Sequence, residues 1–343
     1  MPSRLAERRE PFGSVSGGWI DSDQDFHCRT RFELLRSSEL LMQNEVKIKC
    51  GGKRSRSYSS LAGLDRPLIT IIMPVFNGEE SLESSILSIV SQNCNNLEYI
   101  IVDGASTDGT LEIVRKYESS IDYWISEPDL GIYDAMNKGV QLATGRWLYF
   151  LGSDDTLRNS LPAVAQFLRD DQTIYYGNVF RTGSKRLYDG VFGAWKLSRR
   201  NICQQAVFYP RSLFEVHQFD LRYKLFADWE FNMRTYSDSR FGFEFIPVTI
   251  ANYNDLNGKS SIATDVQFWM DYGRLLRECM PRAVYVWFQF KRAVGRFPGS
   301  ILQSQGVSGV PGESHSPPRK DNIYPDHLSE HRSVEEKVPE DAE

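Results

Sequence analysis

"RWLYFLGSDDTL", Arg146–Leu157, decides how this chain is read. Trp147 to Leu151 are consecutive apolar and aromatic residues, the composition of a fully buried strand. The run ends in Gly152, Ser153 and two adjacent aspartates, Asp154 and Asp155. Neighbouring carboxylates repel and raise each other's pKa. Something at that strand end must offset the repulsion: a cation, a helix N-terminus, or water.

Outward from this stretch, the same pattern repeats. Leu68–Met73, Tyr99–Val102 and Ile121–Ile125 also read as short buried strands. Helical patterns separate them. Ser81–Ser91 puts Leu82, Ser85, Ile86 and Ile89 on one face; Thr110–Tyr117 does so with Leu111, Val114 and Tyr117; Ile132–Leu142 turns Ala135, Met136, Val140 and the following Ala143 inward. Strand–helix alternation predicts a Rossmann-like α/β fold, a mostly parallel sheet with helices on both faces. Right-handed crossovers place all the strand C-termini on one edge, where ligands of such sheets bind. Onto that edge run Pro74-Val75-Phe76-Asn77-Gly78, Asp103–Thr110, Glu127-Pro128-Asp129 and Ser153-Asp154-Asp155. Asp155 also suits the cap of a helix near Leu157 to Leu168, and Thr107 and Asp108 suit helix N-capping.

The chain has 343 residues, 41% hydrophobic and 25% charged, enough to bury a sizeable core. A formal net charge of -5 argues against nucleic acid as a partner. The five cysteines (Cys28, Cys50, Cys94, Cys203, Cys279) are scattered without a CxxC pair, so reduced thiols in a cytoplasmic setting are expected. The opening MPSRLAERREPFG lacks an apolar signal region, and no stretch reaches the roughly 18 apolar residues a membrane span needs. Ala283–Phe297 mixes aromatics with Lys291, Arg292 and Arg296; it reads as a packed C-terminal helix or as a helix held at a membrane interface. Residues 1–66 read as a poorly ordered extension and linker, with a short helix over Leu34–Leu41 and a Ser/Arg/Gly linker over Gly51–Gly63. The folded unit is placed at 67–297: a nucleotide-binding half 67–155, an acceptor half 156–260 and C-terminal helices 261–297. A disordered tail follows over 298–343.

Several chemistries lack their motif. GxGxxG does not follow the first strand. Gly258-Lys259-Ser260 ends like a P-loop, but Tyr253 stands where the leading Gly is required. No GxSxG elbow occurs, and the five histidines include no close pair. Oxygen ligands remain. Mg2+ or Mn2+ is bound through one or two carboxylates plus substrate phosphates, which Asp154 and Asp155 can supply; a solvated pair or a helix cap is the structural alternative.

Three blocks carry a resemblance: ITIIMPVFNGEESLESSILSIVSQ, EYIIVDGASTDGT and EPDLGIYDAMNKGVQLATGRWLYFLGSDD. In order and spacing they resemble the N-terminal half of family 2 glycosyltransferases with the GT-A fold. The likeness resumes at ICQQAVFYPRSLFEVHQFDLRYKLFADWEFNMR, Ile202–Arg234. It implies a mixed-sheet acceptor half and the following roles. Pro74, Phe76 and Asn77, with Glu79 near, cradle the donor nucleotide. Asp103 contacts the base alone, since Gly104 replaces a second carboxylate found in many members. Asp134 and Lys138 approach the donor. Asp155 binds Mg2+ or Mn2+, and Asp154 faces the ribose or donor sugar. Asp228, after Ala227 in place of the usual Glu, is the general base of an inverting displacement. Gln204, Gln205, Trp229 and Glu230 contact the sugar or acceptor, and Trp195 and Trp229 can stack on a sugar face.

The resemblance further implies a UDP or GDP sugar as donor and a glycan or polyprenyl-linked acceptor of cell-surface polysaccharide synthesis, at the inner membrane surface. A nucleotidyltransferase competes, but PVFNGEE lacks its basic Gly-rich loop. An inactive glycosyltransferase-like scaffold competes too, on Gly104 and Ala227.

Overall fold

The computed structural model describes residues 48–56, 68–94, 96–256 and 264–294. Residues up to Pro281 form one compact unit and Arg282 onward a second. Its sheet begins with strand β1 (Lys49–Gly51), followed by β2 (Ile69–Val75), β3 (Leu97–Asp103), β4 (Tyr123–Ser126) and β5 (Trp147–Phe150). β2 is buried at all seven positions and β5 at all four, which is why both read as apolar runs, broken in β2 only by Thr70. β4, β3, β2 and β5 lie side by side, all parallel. Helices α1 (Leu82–Val90), α2 (Thr110–Lys116) and α3 (Ile132–Leu142) connect them. Gly139 lets α3 lie close on the sheet: a Cβ there would stand 2.3 Å from Ile72 Cγ2.

Beyond β5 the sheet turns mixed. The later strands are β6 (Thr156–Leu157), β7 (Thr173–Arg181), β8 (Arg186–Tyr188), β9 (Val207–Pro210) and β10 (Gly242–Tyr253). β9 runs antiparallel between β5 and β7, β10 runs parallel to β7, β6 closes the far edge and β8 hairpins onto β7. Helices α4 (Ala227–Tyr236) and α5 (Val266–Cys279) belong to this half. Asp265 caps α5, its Oδ1 accepting from Phe268 N at 3.2 Å and its Oδ2 from Leu225 N at 2.8 Å.

Two expectations are corrected. Residues 48–56 are part of the fold, not a linker. β1 pairs antiparallel with β4, and Arg54 makes a 2.6 Å ion pair with buried Glu98, which also accepts from Thr70 Oγ1 and Thr144 N. The Ser/Arg/Gly composition conceals one well-anchored arginine. The expected helix near Leu157–Leu168 is also displaced. β6 takes Thr156–Leu157, and only Leu161–Val164 is helical, because the chain here is drawn into the edge of the sheet. Leu34–Leu41 and the tail 298–343 lie outside the described residues.

In the second unit, helix α6 (Arg282–Ala293) has Val284 and Phe288 buried and Val286, Phe290 and the following Val294 exposed. No described helix is long and apolar enough to cross a membrane. The four described cysteines, Cys50, Cys94, Cys203 and Cys279, are free thiols.

Candidate active site

The strand ends gather on one rim, as the alternation requires. The first two loops are laced together. Asn77 N donates to Ser106 Oγ (2.8 Å), Asn77 Oδ1 accepts from Thr107 N (3.0 Å), and Glu79 Oε2 accepts from Gly109 N (2.7 Å). Asn77 adopts the left-handed region at φ 50°, a conformation its short side chain tolerates. Pro74 is buried inside β2, while the Phe76 ring is 49% exposed on the rim. Asp108 accepts from Thr110 N (3.1 Å) and Glu79 N (3.1 Å), the capping-type bonds its position suggests.

Asp103 is buried, and Ser106 N, Ser106 Oγ and Ser126 Oγ all donate to it. It organises the loop more than it faces outward. The acidic group at the vacated position comes from elsewhere. A Cβ on Gly104 would stand 2.5 Å from Asp129 Oδ2 and 3.3 Å from the Phe76 ring. Asp129 therefore fills the space that Gly104 leaves, beside an exposed aromatic face. Burial foremost raises its pKa. The sequence placed Asp129 on the rim but gave no sign that it reaches across to Gly104.

Asp134 and Lys138 brace the third loop. Lys138 Nζ contacts Glu127 Oε1 (2.9 Å), Asp134 Oδ2 (3.2 Å) and Pro128 O (2.8 Å), which occupies the ammonium's three donors. Lys138 thus shapes the rim rather than extending toward a donor, and Asp134 Oδ2 also accepts from Leu130 N (3.0 Å).

The paired aspartates have different surroundings. Asp154 is exposed. Asp155 is 2% exposed; its Oδ1 accepts from Asn254 N (2.8 Å) and its Oδ2 from Gln205 Nε2 (2.5 Å). Ser85 Oγ, on the inner face of α1, donates to Asp155 O (2.6 Å) and so fixes the loop from below. Burial first, then the Asp154 charge, push Asp155 up to about 7. The two carboxylates nonetheless converge. A Cβ on Gly152 would lie 2.8 Å from Asp155 Oδ2 and 3.0 Å from Asp154 Oδ1. A cradle floored by glycine and flanked by two carboxylate oxygens fits a hard divalent ion that takes its other ligands from phosphate and water. Among the described residues no group of three or more His, Cys, Asp or Glu side chains forms a fuller metal site.

Asp228 lies in the first turn of α4, 8% exposed. Its Oδ1 accepts from Tyr133 Oη (2.8 Å) and Trp229 N (2.9 Å); its Oδ2 accepts from Asn201 Nδ2 (2.6 Å). Oδ1 accepts two hydrogen bonds and Oδ2 one, so a lone pair of Oδ2 is left for another donor. Burial raises Asp228 to about 6, against the pull of those donors. Behind it a one-way chain fixes the Asn201 amide: Asn232 Nδ2 donates to Asn201 Oδ1 (2.9 Å), and Tyr209 Oη donates to Asn232 Oδ1 (2.9 Å). Tyr133, Asn201 and Asn232 escaped the sequence reading because they come from three separated segments.

The turn Gln204–Ala206 sits between the two stations. Gln205 holds Asp155, as noted. Gln204 is buried, and its amide makes no well-formed hydrogen bond, with the Tyr209 hydroxyl as its polar neighbour. Trp229 and Glu230 are placed differently from expectation. Trp229 is buried against Phe268, Trp269 and Tyr272, and its Nε1 donates to Leu197 O (2.7 Å), so it is core rather than a sugar platform. Glu230 pairs with Arg234, Oε1 to Nε at 2.7 Å, one turn along α4 and away from Asp228. Trp195 is 44% exposed.

A relative settles the class. The chain is 38% identical over 211 residues to a PGL/p-HBAD biosynthesis glycosyltransferase of Mycobacterium tuberculosis, spanning 59% of this chain and 82% of the relative. The chain belongs to glycosyltransferase family 2. Residues 70–227 match that family, described as Glycosyl transferase family 2. An uncharacterized glycosyltransferase of M. tuberculosis is 32% identical over 183 residues, 49% of this chain and 68% of the relative. In fold, this glycosyltransferase is similar to S. aureus TarS 1-349, solved in complex with UDP-GlcNAc: TM-score 0.55, 16% identity, 70% of this chain and 76% of that one. The GT-A fold of the sequence reading is thereby shown.

Proposed function

We propose that this glycosyltransferase inverts the anomeric centre of a nucleoside-diphosphate sugar, with Asp228 as general base and a hydroxyl of a glycan or lipid-linked molecule as acceptor. The observation that carries the reading is Asp228 itself: a buried carboxylate, locked by three donors, with one oxygen left able to take a proton. Its pKa near 6 leaves it ionised at neutral pH yet basic enough to act. The acceptor hydroxyl gives its proton to Asp228 Oδ2 as its oxygen bonds to the anomeric carbon. The bond from that carbon to the diphosphate breaks, and its electron pair leaves with the diphosphate. The transition state is oxocarbenium-like, as in glycoside hydrolysis.

Asp154 and Asp155 would hold Mg2+ or Mn2+, whose charge takes up that of the departing diphosphate. Asp129 and Phe76 offer a carboxylate and a ring for the base. The Gln204 amide suits a sugar hydroxyl because it both donates and accepts. The TarS complex with UDP-GlcNAc makes UDP sugars the first donors to try, ahead of GDP sugars. Turnover of a panel of these donors with Mn2+, with the product anomer read by NMR, tests the proposal. An inverted product is expected; a product with the donor's configuration overturns it.

We also propose that α6 rests on an anionic lipid surface on the cytoplasmic side. Its exposed Val286 and Phe290 lie one turn apart, and Arg282, Lys291 and Arg292 flank them with no acidic residue on the helix. Phosphatidylglycerol vesicles should sediment wild type but not Phe290→Asp; equal sedimentation with phosphatidylcholine vesicles contradicts the idea.

A further inference from the structure

Arg181 ends β7, in register with Tyr253 of β10 and Arg186 of β8. Its surroundings are unusual for an arginine. Nε is buried without a hydrogen-bond acceptor, and among the described residues the guanidinium makes no ion pair. It lies over the Tyr188 ring, 4.0 Å from the centroid, and that cation–π contact is its main compensation. A partly buried guanidinium normally holds a carboxylate or phosphate. Among the described residues this one has neither.

Its place in the site is fixed from two directions. Tyr253 is followed by Asn254, whose N–H holds Asp155. Tyr188, beneath the guanidinium, donates through Oη to Asn201 O (2.6 Å), and Asn201 holds Asp228. The half-buried Cys203 thiol, pushed up chiefly by desolvation, also feels Asp155, Arg181 and Asp228. The guanidinium therefore belongs to the same neighbourhood as Asp155 and Asp228.

The surrounding segment has a matching character. Residues 181–200 hold six basic side chains (Arg181, Lys185, Arg186, Lys196, Arg199, Arg200) against one acidic residue, Asp189, in a chain of net charge -5. Asp189 is already engaged by Lys196 and Arg200. Leu187, Val191 and Trp195 of the same segment are exposed. Basic charge and exposed apolar side chains thus alternate along one segment, which leads directly to Asn201.

We propose that Arg181 receives an oxyanion, phosphate or carboxylate, carried by the acceptor, and that the acceptor is an anionic amphiphile lying along residues 181–200. The inference rests on the reading of Asp228 as base, since that places the acceptor in this neighbourhood. It makes Arg181 a substrate-contact residue that selects the acceptor and leaves the donor alone.

The test uses dodecyl phosphate as anionic probe and dodecyl maltoside as neutral probe, below micelle formation. Binding is measured by calorimetry with UDP and Mn2+ saturating, so that the donor subsite is filled. Wild type should bind dodecyl phosphate at least tenfold more tightly than the maltoside. Arg181→Met, which keeps the apolar stem over Tyr188, should erase that preference and leave UDP affinity within twofold of wild type. Arg181→Lys should keep part of it and guards against a folding defect in the first variant. An unchanged preference in Arg181→Met overturns the inference; so does a loss of UDP affinity, which would give the guanidinium to the donor. If wild type binds neither UDP nor GDP, the donor reading fails. The phosphate preference, measured without nucleotide, then still decides whether Arg181 takes an oxyanion.

Discussion

The two halves of the sheet place their polar groups differently. In the parallel half, β2 to β5, the buried polar side chains of the strands, Thr70, Glu98, Asp103 and Ser126, are partnered with one another or with a neighbour, and the rim loops are laced by short bonds such as Asn77–Ser106 and Lys138–Glu127. In the mixed half, polar groups go inside. Asn232 and Tyr209 are fully buried, Asp228 nearly so, and Gln204 and Arg181 carry buried atoms with no well-formed hydrogen bond. Buried polar groups stabilise only when fully partnered. The first half therefore reads as a scaffold with a rim, and the second as the half that buries Asp228 together with its partners. Substitutions in each half should fail differently.

The largest separation is expected at Asp228. Asp228→Asn should lower kcat about 10^3-fold, within the range for loss of a general base, with UDP affinity kept. The pH profile follows from the same group. The base works ionised and its pKa is about 6. With Mn2+ saturating, so that the metal holds Asp155 ionised, wild-type kcat/KM should thus fall tenfold per pH unit below that value and be flat above it; a profile flat down to pH 4.5 would contradict the assignment.

Next in size is a change that should harm the scaffold alone. Arg54→Met strands Glu98 in the core without its 2.6 Å partner. Breaking a buried pair from one side costs about 3 kcal/mol, so chemical denaturation should show that loss. UDP affinity at low temperature should be unchanged. A fully stable variant would mean that residues 48–56 are not integral to the domain.

Asn201→Ala is a subtler probe. It removes the donor that holds Asp228 Oδ2, so the acid limb of kcat/KM should move upward by about half a pH unit, with kcat down about tenfold. A fall in kcat with no movement of the limb would make Asn201 merely structural. Tyr133→Phe should move the limb in the same direction by at least as much, because the Tyr133 hydroxyl is the donor that most holds the Asp228 carboxyl down.

Legibility followed the same division. Strands β2 to β5 and helices α1 to α3 were readable because burial on both faces leaves an almost unbroken apolar signal and each helix shows its 3.6-residue stripe. The strand ends then located the rim, and Asp154, Asp155 and Asp228 came with the motifs. The mixed half was less readable. β7 and β10 alternate burial imperfectly, and β8 is three residues long. What completes the site there is long-range. Asn201 reaches Asp228 across 27 residues and Tyr133 across 95. Asp129 fills the gap at Gly104, a fact of side-chain volume that no spacing rule encodes. Trp229 and Glu230 adjoin the base in sequence, yet helix geometry turns them onto other faces. Arg54 was lost in a stretch whose composition resembled a linker.

One measurement bears most directly on the account: calorimetric binding of UDP, with Mn2+ and with EDTA, to wild type, Asp155→Asn and Asp228→Asn. The division of labour predicts metal-dependent binding in wild type, its loss in Asp155→Asn and its retention in Asp228→Asn, which binds but does not transfer. Metal-independent binding unaffected by Asp155→Asn, or equal loss of binding in both variants, would contradict it.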